Sequence, residues 1–289
     1  MTVLELRAAS YRYAGAASAA LSELSLSLAA GRVLGVVGPN DGGKSTLCLV
    51  AAGLAPGTIG GRLEGSVRLG GTETVAMQPH EAAQRCGILF QNPATQLTGT
   101  ATTVWEEIAF GPRNLGLDLG AITERVAWAM GLTRTDHLAA KETGRLSGGQ
   151  AQLVALAAVL AMQPAVLVLD EPTSQLDPAG TLLVGDALAR LAVETGTAIL
   201  IVEHKTALLA RMADEILVID GGRIVLREAA RTVLADSRLA DLGVEPPAAV
   251  RLERLFRAKG LAATLQEIDL VALEQGRATK VGLEPDDPS

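Results

Sequence analysis

Residues 38–45 have the types and spacing of a loop that binds phosphate groups. Glycines let backbone N–H groups face a polyphosphate with no Cβ in the way, and a following helix adds partial positive charge at the same point. Lys44 would bridge the β- and γ-phosphates, and the Ser45 hydroxyl would hold Mg²⁺. The pattern predicts a Walker A loop that places these residues at a nucleotide: Gly38, Pro39, Asn40, Asp41, Gly42, Gly43, Lys44, Ser45 and Thr46.

The segments on either side of this loop agree with the motif. Residues 33–37 are a short apolar run of strand length, and residues 46–53 are predicted to form a helix that ends at glycine. Asp41 is the exception inside the loop, because a carboxylate is repelled by phosphates. The motif permits an aspartate at this position only if the side chain points outward, and the sequence assigns it no role.

A second apolar strand, residues 165–169, ends in two acids, Asp170 and Glu171. An apolar run of this kind suits the centre of a parallel sheet. At its carboxyl end Asp170 can hold Mg²⁺, and Glu171 can polarise an attacking water as a general base. The alternative is a solvated turn that merely ends the strand. The Walker A loop earlier in the chain favours the catalytic interpretation.

Residues 146–150 predict a second anion site. Ser147 and Gln150 form a capping box before an apolar helix predicted over residues 153–162. Free N–H groups and a serine hydroxyl converge there with two glycines that allow close approach, although capping alone would also explain the pattern. The chain has one Walker A loop but two phosphate-type sites. This implies that a single chain holds only half of each active site. The residues involved are Ser147, Gly148, Gly149 and Gln150.

In this order the motifs resemble the nucleotide-binding subunits of ATP-binding cassette (ABC) transporters, whose LSGGQ signature lies between Walker A and Walker B. The resemblance covers about residues 3–235. It implies ATP and Mg²⁺ as ligands, a second cassette that is either the same chain or a related one, and integral membrane subunits on separate chains. One departure is Leu153, which stands where the family commonly has a basic residue.

The resemblance assigns four further roles by position. Gln91 is similar to the Q-loop glutamine, a ligand that links the metal and the water to the membrane partner. Asp177 resembles the D-loop aspartate that reaches across the dimer. His204 resembles the switch histidine that contacts the γ-phosphate. Tyr13 resembles the aromatic residue that stacks on adenine. Two alternatives stay open: His204 as a surface residue, and Tyr13 packed with Tyr11 on one face of an edge strand.

The segment after Gln91 indicates which class of ABC protein the chain resembles. Residues 91–116 are similar to the ATPases of energy-coupling-factor (ECF) importers, which take up vitamins and transition-metal ions. Phe90, Trp105 and Phe110 stand out in a chain that is only 2% aromatic. They form either a pocket for a membrane partner or the small core of a helical subdomain. An exporter ATPase and a soluble, non-transport ABC ATPase remain the alternative functions.

Composition limits the class of protein. Of 289 residues, 48% are hydrophobic, enough for a substantial core, and the net charge of −7 argues against a nucleic-acid partner. The two cysteines predict neither a disulfide framework nor a metal cluster. The most apolar window, residues 153–169, is interrupted at Gln163 and Pro164, and no signal peptide is evident. We expect a peripheral protein on the cytoplasmic face of the cell membrane.

The predicted fold class is α/β, a P-loop NTPase cassette of the ABC type. It would combine a parallel central sheet with an N-terminal antiparallel β subdomain and a helical signature subdomain over about residues 92–163. Residues 1–235 form the predicted cassette, which ends with a hairpin at residues 219–225 around an Asp-Gly turn. Residues 236–289 would be a small helical appendage with a disordered tail.

Overall fold

Two β-sheets organise the computed structural model, which describes residues 1–258. A six-stranded sheet has the order β10-β9-β3-β8-β7-β6, and all its neighbours pair in parallel except β10 with β9. A four-stranded antiparallel sheet has the order β2-β1-β4-β5. The strands are β1 (Thr2–Arg12), β2 (Leu21–Ala29), β3 (Val33–Val37), β4 (Arg62–Leu69), β5 (Thr72–Glu73), β6 (Cys86–Leu89), β7 (Val166–Asp170), β8 (Ala198–Val202), β9 (Glu215–Asp220) and β10 (Arg223–Ala229).

Helices cover the parallel sheet, and three of them pack together as a separate layer. This layer consists of α3, α4 and α5 and forms the predicted helical subdomain. The helices are α1 (Lys44–Ala51), α2 (Pro79–Arg85), α3 (Val104–Asn114), α4 (Leu119–Thr133), α5 (Gly148–Ala161), α6 (Pro178–Thr195), α7 (Thr206–Met212), α8 (Ala230–Leu234) and α9 (Ala248–Ala258). No helix in the described residues is both long and apolar enough to cross a membrane.

Every residue of β3, β7 and β8 is buried, as expected for parallel strands covered on both faces. One hydrophobic cluster lies between the central sheet and the helical layer, and a second joins the central sheet, α1 and the antiparallel sheet. The predicted α/β cassette architecture is thus confirmed. Both cysteines are buried in the second cluster.

Several predicted boundaries differ from the structure. The helix after the Walker A loop begins at Lys44, two residues before its predicted start. The helix predicted from residue 153 begins at Gly148, because Ser147 is already its N-cap. The hairpin turn is Gly221-Gly222, since Asp220 pairs with Arg223 as the last rung. The appendage helix α9 follows two prolines, whereas the predicted disordered tail lies outside the described residues.

Glycines join the phosphate-binding loop to the β9–β10 hairpin. A Cβ at Gly38, whose φ is 152°, would lie 2.0 Å from the carbonyl oxygen of Ile219. A Cβ at Gly222 would lie 2.5 Å from the carbonyl oxygen of Ala20, and the Gly222 N–H donates to Gly42 O at 3.0 Å. Three segments far apart in sequence therefore meet backbone to backbone around the loop.

This junction predicts unequal effects of alanine at the two turn glycines. We expect Gly222→Ala to lower the free energy of unfolding by about 3 kcal/mol, because its methyl group meets a backbone oxygen in addition to the strain of a φ of 72°. Gly221 has a φ of 52°, but the space around it is open. We therefore expect Gly221→Ala to lower the free energy of unfolding by only about 1 kcal/mol. Urea unfolding of both variants measures the difference, and equal losses would contradict the packing argument.

Candidate active site

The register of the parallel sheet aligns the elements that carry the site. Val36 of β3 lies opposite Val202 of β8, and Val202 lies opposite Asp170 of β7. Leu89 at the end of β6 lies opposite Leu169. The carboxyl ends of four strands therefore meet at one edge, where functional sites form in parallel sheets. The Walker A loop, Glu171, Gln91 and His204 all follow directly from these strand ends.

The Walker A loop leads into α1 as a cradle of backbone groups. Gly43 precedes the helix without a side-chain cap, so the first N–H groups of α1 are free to meet phosphate oxygens. Lys44 is buried, and its Nζ donates to Gly38 O at 3.0 Å and Pro39 O at 2.7 Å. Burial lowers the pKa of Lys44, opposed by the nearby carboxylates of Glu171, Asp170 and Asp41. The Asp41 side chain is exposed.

Asp170 and Ser45 supply oxygen atoms suited to Mg²⁺. Asp170 is only 7% exposed, and its Oδ1 is buried without a hydrogen-bond partner among the described residues. Burial raises the pKa of Asp170, although a hydrogen bond from Ser45 and the Lys44 charge act in the opposite direction. An orphaned buried carboxylate oxygen beside a hydroxyl fits a hard cation that prefers oxygen ligands.

Glu171 is held at the sheet edge by two side chains from separate loops. Gln91 Nε2 donates to Glu171 Oε2 at 2.8 Å, and His204 Nε2 donates to Oε1 at 3.0 Å. The Glu171 backbone has a φ of 51°, a left-handed conformation that is strained for a glutamate, and its N–H donates to Val202 O at 3.0 Å. The structure thus brings three predicted catalytic residues together around one carboxylate.

The predicted capping box at the start of α5 is present. Ser147 Oγ accepts from the Gln150 N–H at 3.3 Å, and Gln150 Oε1 accepts from the Ser147 N–H at 3.2 Å. Lys141 Nζ also donates to Gln150 Oε1, at 2.8 Å. Ser147 is exposed, so its hydroxyl and the first N–H groups of α5 face solvent. The capping box is confirmed, and anion binding at this helix start stays a prediction.

The signature glycines rest against the connecting loop, residues 171–177 between β7 and α6. A Cβ on Gly148 would lie 3.2 Å from Gln175 Oε1, and one on Gly149 would lie 3.3 Å from Gln175 O. At the end of this loop Asp177 caps α6, since its Oδ1 accepts from the Gly180 N–H at 2.7 Å. Leu153 is half-buried against the helical layer, which accounts for an apolar residue at that position.

Tyr13 lies beside the Walker helix. Its hydroxyl is 3.1 Å from Thr46 Oγ1, and its ring meets that of Tyr11 edge to face with centroids 4.9 Å apart. The two tyrosines share a face, as expected, but Tyr11 is buried whereas Tyr13 is only half-buried. Tyr13 therefore packs partly against Tyr11 and the second cluster, as the alternative has it, and its stacking on adenine stays a prediction.

The three aromatic residues after β6 do not form one core. Phe110 is 41% exposed on α3, and Phe90 and Trp105 are half-buried. Trp105 packs against the helical layer and lies under the Arg113 guanidinium, 5.8 Å from the ring centroid. The interpretation of this trio as a subdomain core is wrong, because Val104 and Ile108 fill that role on α3.

Sequence analysis missed the two residues that flank His204. Glu203 is 3% exposed, and its Oε2 accepts from Thr173 Oγ1 at 2.6 Å. Lys205 Nζ donates to atoms of the connecting loop and α6. The sequence did contain a signal for Glu203, because it is an acid that directly follows an apolar run. The same signal marks Asp170.

Comparison with known proteins agrees with this geometry. The family model described as ABC transporter matches residues 21–174. The chain belongs to this family. The energy-coupling factor transporter ATP-binding protein EcfA2 of Symbiobacterium thermophilum is 37% identical over 83% of this chain and 82% of its own length. As a member of this family, the protein is an ATPase.

Solved structures share the fold. CbiO1 of Clostridium perfringens, part of the ABC transporter complex CbiONQ, has a TM-score of 0.73 and 29% identity over 90% of this chain and 99% of its own. An ATP-binding cassette solved as a dimer in a post-hydrolysis state, bound to ADP and Pi, has a TM-score of 0.69. It is 23% identical and covers 79% of this chain and 99% of its own, so it supports the fold alone.

The buried carboxylate of Asp170 predicts a conflict between stability and activity. We expect Asp170→Asn to raise the free energy of unfolding at pH 7, because burial disfavours the ionised group and raises the pKa of Asp170. Mg²⁺-dependent ATP hydrolysis should fall by about a hundredfold. Since the folded-state pKa is raised, the stability gain should vanish as the pH falls below the unfolded-state pKa. Urea unfolding at pH 7 and in acid, with exposed Asp186→Asn as control, tests this; a less stable variant would contradict it.

Proposed function

We propose that this ATPase is the energy-supplying subunit of an ECF-type importer, and that it works by closing head to tail on a second cassette. The observation that carries the proposal is the division of the site. The Glu171 cluster lies at the end of the parallel sheet, whereas the Ser147 helix start belongs to the helical layer. Each is an incomplete phosphate site alone, so two chains are needed to complete both.

Each residue of the candidate site has a defined role in the proposed reaction. The N–H groups of the Walker A loop and the Lys44 ammonium would bind the phosphates of ATP, with Tyr13 beside the adenine. Ser45 and Asp170 would hold Mg²⁺, which neutralises phosphate charge when bound. Glu171 would accept a proton from the attacking water, oriented by Gln91 and His204.

Closure would give the site its second wall. The Ser147 hydroxyl and the first N–H groups of α5 on another copy would meet the phosphates from the opposite side, with Asp177 near the junction. Nucleotide that contacts both surfaces favours the closed dimer by its differential affinity. Hydrolysis and loss of phosphate remove those contacts, so the dimer reopens and the cycle can drive a transporter.

The importer assignment rests on sequence likeness and on one surface. The EcfA2 relative and the CbiO1 structure support an ATPase that serves separate membrane subunits. Phe110 is exposed on α3 in the segment after the Q-loop, where an apolar contact could receive a segment of such a subunit. A vitamin or a transition-metal ion is the proposed class of solute, and the proposed location is the cytoplasmic face of the membrane.

Glu171→Gln tests the catalytic half of the proposal. The amide cannot accept the proton, so we expect turnover to fall by about a thousandfold, while ATP and Mg²⁺ still support a closed dimer. Phosphate release and light scattering with ATP measure the two effects. Exposed Glu194→Gln on α6 is the matched control and should behave as wild type. Unchanged turnover in Glu171→Gln would exclude Glu171 as the base.

Co-purification tests the transport half. The full-length protein, purified from detergent-solubilised membranes of its native host, should carry polytopic membrane proteins in fixed ratio. Phe110→Asp should lose most of them without changing the ATPase rate, because it places a charge in the proposed apolar contact. Leu119→Asp, on a residue 68% exposed on α4, should retain them. Recovery of the wild-type protein without membrane subunits would contradict the importer assignment.

A further inference from the structure

Lys141 brings a positive charge to the Ser147 helix start. Its Nζ donates to Gln150 Oε1 at 2.8 Å, and the residue is half-buried. Within residues 1–258 no carboxylate forms an ion pair with this ammonium; the adjacent Glu142 is paired with Arg145 at 3.0 Å instead. The charge lies next to a helix start that already carries partial positive charge, and together they favour an anion.

The backbone of Lys141 is fixed by the start of α3. Lys141 O accepts from the Val104 N–H at 3.0 Å. Two residues later the Thr143 N–H donates to Thr102 O at 3.2 Å, and its hydroxyl donates to Ala101 O at 3.1 Å. These bonds place Lys141 beside a short antiparallel bridge. An anion that binds the ammonium therefore needs no ordering of this part of the backbone, which favours affinity.

Lys141 also sets the direction in which the Gln150 amide points. Gln150 Oε1 accepts from two donors, the Lys141 ammonium and the Ser147 N–H at 3.2 Å. Only the amide oxygen can accept from these groups, so the NH2 group must face the other way. Among the described residues Gln150 Nε2 donates to no atom. The amide is thus a further free donor beside the Ser147 hydroxyl.

The same cation replaces a charge that α5 itself lacks. Position 153, where the resemblance leads us to expect a basic residue, is a leucine packed against the helical layer. Lys141 belongs to the segment before the helix, so the signature side keeps a basic group that a different element of the chain supplies. A polyphosphate that approaches this helix start would meet a full positive charge in addition to the helix dipole.

We propose that Lys141 binds nucleotide from the signature side. It supplies positive charge to the polyphosphate held by the Walker A loop of the second chain, and it keeps the Gln150 amide in the orientation that donates to that nucleotide. This inference rests on the proposed head-to-tail dimer. Lys44 would carry the positive charge on one side of the triphosphate and Lys141 on the other. The contribution is larger for ATP than for ADP, because the additional phosphate adds negative charge.

The test uses the full-length chain with Glu171→Gln, in which ATP and Mg²⁺ are expected to hold the dimer closed. Lys141→Met in this parent keeps an unbranched stem but removes the charge. The ATP concentration for half-maximal dimerisation, measured by light scattering, should rise about tenfold. The rise should shrink at high salt, because salt screens a charge that is only half-buried.

Two variants and one ligand are the controls. Lys141→Arg keeps the charge and the donors, so its half-maximal ATP concentration should stay within about twofold of the parent. Arg145→Met removes a positive charge from the same segment, but that charge is exposed and paired with Glu142, so a change below about twofold is expected. ADP binding to the monomer, measured by calorimetry, should be unchanged, which separates a loss on the signature side from a general loss of nucleotide affinity.

Lys141→Gln keeps an amide donor without the charge, and it decides the matter if Lys141→Met does not fold. It should also need more ATP to dimerise. An uncharged Lys141 variant that dimerises at the same ATP concentration as Arg145→Met would overturn the inference, and so would a loss that Lys141→Arg shares in full. If Glu171→Gln alone stays monomeric with ATP, the head-to-tail dimer itself is wrong, and that outcome counts against the proposed function.

Discussion

The parallel pairing of β3, β8 and β7 is the constraint on which the site depends. Strands that run in one direction, in register, must release their loops at the same edge. The Walker A loop, the two acids and the histidine are spread over more than 150 residues of the chain, from Gly38 to His204. The sheet alone brings them together. The strands themselves are buried and, apart from Asp170 at the end of β7, apolar, so hydrophobic burial of the sheet also positions the polar groups.

The site contains features that lower the stability of the fold and that the rigid sheet can tolerate. Glu171 has a left-handed backbone, Asp170 is a buried carboxylate with an unpartnered oxygen, and Lys44 is a buried ammonium bonded to loop carbonyls. Each would cost stability in an ordinary loop. They persist because the backbone is fixed by a buried strand before each loop and by a helix after it. Together they concentrate charge where a phosphorylated ligand and a cation would balance it.

Local features were predictable from sequence, and long-range ones were not. The Walker A loop, the Ser147 capping box and the buried strands follow from residue types over a few positions, so the fold class and most of the candidate site could be read from them. The ties of Lys205 to Thr173 and Leu176, and the contact of Gly222 with Ala20, join segments whose meeting depends on the complete fold. The two interpretations of the aromatic trio stayed open because sequence spacing alone does not show which face of α3 meets the core.

The meeting of Gly38 with the carbonyl oxygen of Ile219 has an evolutionary consequence. A clash between two side chains can be relieved by shrinking either one, so such pairs can change together. Here the obstructing atom belongs to the main chain and is present whatever residue occupies position 219. No substitution at that position can compensate for a side chain at position 38. Residue 219 is therefore free to change its side chain, whereas position 38 must remain glycine.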